Sequence, residues 1–173
     1  MKNIILMLLL ASSTSQAATH YFVRHAEKDQ NNPTNRNPDL TLKGQQRAQN
    51  LALMLSKANI KHIHSTAYKR TVQTAHPLAE NLNISINHYD PSDMSTFLTQ
   101  LKSSKENSLV VGHSNTTTEA VSTMTGESMA GLSEDDYGDV FQVIIEKDVI
   151  LINHFQLPPA TAKAALHQDI KIK

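Results

Sequence analysis

The feature that most constrains this chain is the repeated succession of a short apolar run and a stretch with helical spacing. Four strand candidates stand out: Tyr21-Phe22-Val23, Ile60 to Ser65, Ile84 to Tyr89, and Ser108-Leu109-Val110-Val111. Each is short, apolar or alternating, and bounded by polar or turn residues, as strands are. Between them, Ala48, Leu51, Ala52 and Leu55 recur at i, i+3, i+4 and i+7 behind Thr41, a residue suited to cap a helix. Val72, Ala75, Ala79 and Leu82 form a second stripe, with Pro77 expected to kink or restart that helix. Phe97, Leu98 and Leu101 form a third, and Asn115 is placed to cap a fourth helix that Gly126 stops. After Tyr137 the pattern changes. Val140 to Glu146 and Val149 to Phe155 are separated only by Lys147-Asp148, the spacing of an antiparallel hairpin. Strand–helix alternation followed by a hairpin predicts a three-layer α/β/α sandwich, with a mainly parallel central sheet and an antiparallel hairpin at its C-terminal end.

The 173 residues suffice for one such domain. Residues 1–18 read as something else: Lys2, then the apolar run Ile4 to Leu10, then small residues through Ala17 and Ala18. This is the layout of a secretory signal peptide, cut after Ala17 or Ala18. Its apolar run is well short of the ~20 residues that span a bilayer. The expected organisation is therefore signal peptide 1–18, domain 19–157 and tail 158–173, in a secreted or periplasmic protein with no stable membrane insertion. Lys2 is the one charged residue of the leader, so 15 Lys and Arg remain against 16 Asp and Glu. That balance gives no reason to expect a nucleic-acid partner. Cysteine is absent, which removes thiol nucleophiles, iron–sulfur sites and cysteine-based zinc sites. His62 and His64 share a strand face but lack a third ligand, so no metal site is expected.

In a parallel sheet all strands deliver their C-terminal ends to one edge, where ligands bind. Arg24-His25 ends the first strand; Ser65-Thr66 ends the second, with Arg70 just beyond. Asp90 follows the third, and Gly112-His113-Ser114-Asn115 ends the fourth. Two arginines, two histidines and a carboxylate on one edge suit phosphoryl transfer. Arginine offers a permanent charge in a planar fork that fits phosphate oxygens. Helix N-termini after Ser65 and Ser114 offer backbone N–H groups to the same anion. A neutral histidine can attack phosphorus, and a carboxylic acid can protonate the leaving oxygen.

Four blocks then carry a family resemblance: Arg24-His25-Ala26-Glu27-Lys28; Leu40-Thr41 with Gly44 and Arg47-Ala48; Ser65-Thr66 with Arg70-Thr71 and Thr74-Ala75; and Gly112-His113-Ser114. In this order and spacing the chain resembles the histidine phosphatase (phosphoglycerate mutase-like) superfamily. The resemblance implies that His25 becomes the phosphohistidine, that Arg24, Arg70 and His113 bind the phosphate with Ser114 and Asn115 beside them, and that no cofactor is needed. It implies a carboxylate donor, first Asp90, then Asp93 and Glu27. The chain departs from the mutases, which carry Gly and then Glu-Ser where Ala26-Glu27-Lys28 stands. It departs from the acid phosphatases, which carry His-Asp where Ser114-Asn115 follows His113. The short segments between motifs leave no space for a large cap domain. A small phosphomonoester hydrolase is the expectation, with a phosphohistidine protein phosphatase or a non-catalytic phosphate or phosphosugar binder as alternatives. Neither substrate identity nor oligomeric state is legible in these residues.

Overall fold

The computed structural model describes residues 17–158. The expected leader and tail therefore lie almost wholly outside the described residues. Ten elements follow one another: β1 (Ala18–Arg24), α1 (Leu42–Leu55), β2 (Ile60–Ser65), α2 (Lys69–Leu82), β3 (Ile86–His88), α3 (Met94–Ser103), β4 (Asn107–Gly112), α4 (Ser114–Thr125), β5 (Asp139–Glu146) and β6 (Val149–Gln156). The strands make one sheet in the order β3-β2-β4-β1-β5-β6. β3, β2, β4 and β1 run parallel to one another; β5 runs antiparallel to both β1 and β6.

Strand alternation sorts the core into two layers. Tyr21, Val23, Ile63, Leu109 and Val111 pack with Leu51 and Leu55 of α1 and Ala75 and Leu78 of α2. Phe22, Val110, Phe141 and Val143 pack on the other face with Leu98 of α3 and Val121 and Met124 of α4. Each such Val, Leu, Ile, Phe or Met side chain, removed from water, contributes about 1.5–3 kcal/mol. The three-layer expectation is met.

Several local expectations hold and several shift. Thr41 caps α1, its side chain accepting from the Gly44 N–H, and Gly126 ends α4 with a positive φ. The helix α1 stops at Leu55, and Asn59 takes a left-handed conformation ahead of β2. In α2 the buried stripe is Thr71, Thr74, Ala75, Leu78 and Ala79, rotated away from Val72. Pro77 forfeits one backbone bond but the helix continues through it. The third strand is only three residues long. The cap of α4 is His113 and not Asn115: the His113 N–H donates to Thr116 Oγ1 at 3.0 Å.

Two further contacts set the end of β1 against α1. Gly44 lies so close to the loop after β1 that a Cβ there would overlap the Glu27 carbonyl oxygen. The Glu27 carboxylate is buried and meets Arg47 of α1 in a bidentate pair, at 2.6 and 2.9 Å.

Candidate active site

Register brings the site together. Arg24 pairs with Gly112 across β1 and β4, and Ser65 with Val111 across β2 and β4, so three strand ends finish side by side. The chain leaving β1 is pinned at once: the His25 N–H donates to Gly112 O at 3.0 Å and the Ala26 N–H to Thr74 Oγ1 at 2.9 Å.

The His25 ring is buried, with Nδ1 2.8 Å from Ala26 O. A carbonyl only accepts, so Nδ1 carries the proton and Nε2 keeps its lone pair. The ring lies 5.6 Å from that of His113 and 6.2 Å from that of Tyr137, centre to centre. Burial lowers its pKa to about 3; the Ala26 carbonyl opposes this, and Arg24, Arg70 and His113 add to it. The imidazole is neutral at any ordinary pH.

His113 is held by a relay of hydroxyls. Its Nδ1 lies 3.4 Å from Arg70 Nη2, which can only donate, so Nε2 bears the proton and donates to Thr66 Oγ1 at 3.0 Å. Thr66 in turn contacts Thr71 Oγ1 at 2.9 Å, and Thr71 donates to the Thr66 and Tyr68 carbonyls. Burial, followed by Arg70, Lys28 and Arg24, lowers the His113 pKa to about 4.

The two arginines are braced from outside the pocket. The Arg24 guanidinium donates to Ser133 O and Asp136 O and lies 4.4 Å above the Tyr137 ring. Arg70 lies 4.5 Å above the Tyr68 ring. Both arginines keep a buried Nε without a protein partner, as does the Tyr137 hydroxyl. Buried donors normally find partners. Orphaned donors at Arg24 and Arg70, next to a neutral histidine with a free ring nitrogen, are suited to a tetrahedral oxyanion.

The structure thus brings Arg24, His25, Arg70 and His113 together, with Ser114 at the rim and Asn115 exposed beside it. Asp90 is set apart from this group. Its carboxylate accepts from the Ser92 N–H and Oγ, closing its own turn. It borders a groove with Asp93, His64 and Phe97 that contains none of the four. The sheet order is the reason: β3 stands three strands from β1, roughly 14 Å at the usual strand spacing. Glu27 is engaged by Arg47 and by Lys43, 3.4 Å away. Burial pushes its carboxyl up, but those partners outweigh burial and hold it below the usual range.

Two groups in the site escaped sequence reasoning. Tyr137 floors Arg24, and Glu134 reaches Arg24 Nη2 at 3.3 Å, Lys28 Nζ at 3.6 Å and Ser114 Oγ at 3.3 Å. The one signal for them is the acidic run Glu134-Asp135-Asp136 ahead of Tyr137. Arg70 and Lys28 also border an adjoining cavity of about 310 Å³ lined by Gln30, Asn32, Asn35 and Arg36. Among the described residues no set of three His, Asp or Glu could hold a metal ion; His62 is taken up by Glu106 at 2.7 Å.

Comparison with known proteins agrees with this geometry. Residues 20–91 match the Histidine phosphatase superfamily (branch 1). No curated protein matches the sequence. Among solved structures, the protein histidine phosphatase SixA complexed with tungstate superposes with a TM-score of 0.67 at 15% identity, over 80% of this chain and 96% of that one. Bacillus stearothermophilus YhfR gives 0.63 at 15%, over 78% and 95%. The mycobacterial glucosyl-3-phosphoglycerate phosphatase gives 0.63 at 12%, over 84% and 100%. Residues 20–91 thus resemble the Histidine phosphatase superfamily (branch 1), and the fold is the one these solved structures share.

Proposed function

We propose that this protein hydrolyses phosphomonoesters through a phosphohistidine on His25, with arginines and histidines supplying the charge that metal ions supply elsewhere. One observation carries the reading: His25 is neutral, buried, fixed through Nδ1, and ringed by Arg24, Arg70 and His113. The Nε2 lone pair attacks phosphorus while the ester bond breaks; water then cleaves the P–N bond and releases phosphate. Arg24 and Arg70 neutralise the equatorial oxygens, and preorganised charge of this kind is the main source of acceleration in such displacements. A phosphate dianion beside His113 offsets the Arg70, Lys28 and Arg24 charges that add to burial in keeping it neutral, and so favours an imidazolium that donates to a phosphate oxygen. The adjoining amide- and arginine-lined cavity favours a polar leaving group.

A second reading, a phosphohistidine protein phosphatase, draws on the SixA likeness, which is one of fold. The leader at residues 1–18 favours export and so favours the first reading. β1 begins at Ala18, so cleavage after Ala17 leaves the strand whole.

The test is hydrolysis of p-nitrophenyl phosphate and of a phosphate-ester panel by wild type and His25→Ala. The expected result is turnover by wild type and its loss in the variant, with acid-labile phosphate trapped on wild type. Equal rates would end the phosphohistidine mechanism. Release of phosphate only from a phosphorylated histidine domain would select the second reading, and tight vanadate binding with no turnover would select a non-catalytic binder.

A further inference from the structure

We infer that Glu134 is the proton donor of this pocket, reaching the ester oxygen by exchanging places with the substrate's phosphoryl group. This rests on the phosphatase reading of the Arg24–His25–Arg70–His113 cluster. The Glu134 carboxylate contacts Arg24 Nη2 at 3.3 Å, Lys28 Nζ at 3.6 Å and Ser114 Oγ at 3.3 Å, three groups from two segments of the pocket. These are groups a phosphate would claim. The loop carrying it is anchored there independently, through the bonds from Arg24 to Ser133 O and Asp136 O and the Tyr137 ring beneath the guanidinium. Glu134 itself is two-thirds exposed, so it can swing aside without disturbing that anchor.

Exchange also supplies the proton. Burial pushes the Glu134 carboxyl up, but Arg24 and Lys28 outweigh it and keep it ionised. Once phosphoryl oxygens take those cations, negative charge replaces positive charge beside the carboxylate, and it binds a proton from solvent. In the first step the Nε2–P bond forms and the P–O ester bond breaks. The electron pair goes to the ester oxygen, which takes the Glu134 proton and leaves as the alcohol. In the second step water attacks phosphorus, the P–Nε2 pair returns to His25, and the water proton goes to the Glu134 carboxylate. Proton, charge and leaving group balance without a further reactant.

The experiment compares wild type, Glu134→Gln and Asp90→Asn on two esters: p-nitrophenyl phosphate, whose phenolate departs unprotonated, and an alkyl phosphate, whose alkoxide cannot. In Glu134→Gln the alkyl rate is expected to fall about 100-fold or more. The first-turnover burst of nitrophenolate persists, and acid-labile phosphohistidine accumulates because its hydrolysis has lost the base. Equal losses in the alkyl rate and the aryl burst would show that Glu134 only positions Arg24 and would overturn the assignment. So would an alkyl-selective loss in Asp90→Asn with none in Glu134→Gln. A wild type inert on both esters would remove the phosphatase reading and this one together; an active wild type with either overturning pattern removes this one alone.

Discussion

Replacing Glu27 by Gln tests how much of this fold depends on one buried ion pair, and whether that carboxyl has any chemical role. Glu27 and Arg47 are only 8% and 6% exposed, and their two bonds of 2.6 and 2.9 Å tie the loop after β1 to α1. In the variant Arg47 keeps Leu157 O at 3.4 Å and amide contacts in place of a carboxylate. Leaving one buried charge uncompensated costs about 3–5 kcal/mol. Domains of this size hold roughly 5–15 kcal/mol in all, so the melting temperature should drop by roughly 10 °C or more. Thermal and urea unfolding measure it directly. Replacing both partners, Glu27→Gln with Arg47→Met, should recover much of the loss, because no charge is then stranded. The pH dependence has a defined sign. The folded carboxyl is held below its unfolded value, so its contribution is complete above that value and is lost as pH falls through the folded pKa. Glu27→Gln should lack that part of the acid limb. Below the melting point, the variant should keep the wild-type ratio of alkyl to aryl phosphate hydrolysis. A melting temperature within a degree or two of wild type, or a selective loss on alkyl esters, would refute the structural assignment of Glu27.

Two further outcomes follow from packing and burial. Gly44→Ala should destabilise the fold even though Ala is the better helix former by about 1 kcal/mol, because its Cβ overlaps the Glu27 carbonyl and overpacking costs ~1–3 kcal/mol; a variant that melts higher than wild type would contradict the close approach. His20 is fully buried, bonds Ser108 Oγ at 2.8 Å, and has its pKa lowered to about 4 by burial and then by His64. The unfolded chain binds its proton first as pH falls below the unfolded value, so stability declines from there toward pH 4. At pH 5 the loss from this site is about 2 kcal/mol. His20→Asn, which can keep the Ser108 contact, should lose less on going from pH 7 to pH 5 in urea titrations, and equal losses would refute it.

What could be read from residues alone divides along a physical line. Positions governed by local rules were legible: β2 fell where its residues predicted, Thr41 caps α1, and Gly126 ends α4. Arg24, His25, Arg70 and His113 were also legible, since parallel strands bring their C-terminal ends to one edge and the register of β2, β4 and β1 does so here. That same rule also put Asp90 with them. It counts every strand end alike, but Asp90 follows the outermost parallel strand and uses its oxygens to close a turn. It also overlooks β5, which runs antiparallel to β1. An antiparallel strand brings its start, not its end, to the edge where β1 finishes: Val140 lies opposite Val23, and the residues just before β5 are Glu134 to Tyr137. The carboxylate that contacts Arg24, Lys28 and Ser114 thus enters from the one neighbour of β1 that the parallel rule leaves out. In a mixed sheet the search for catalytic groups has to include the residues preceding each antiparallel strand beside the nucleophile's own.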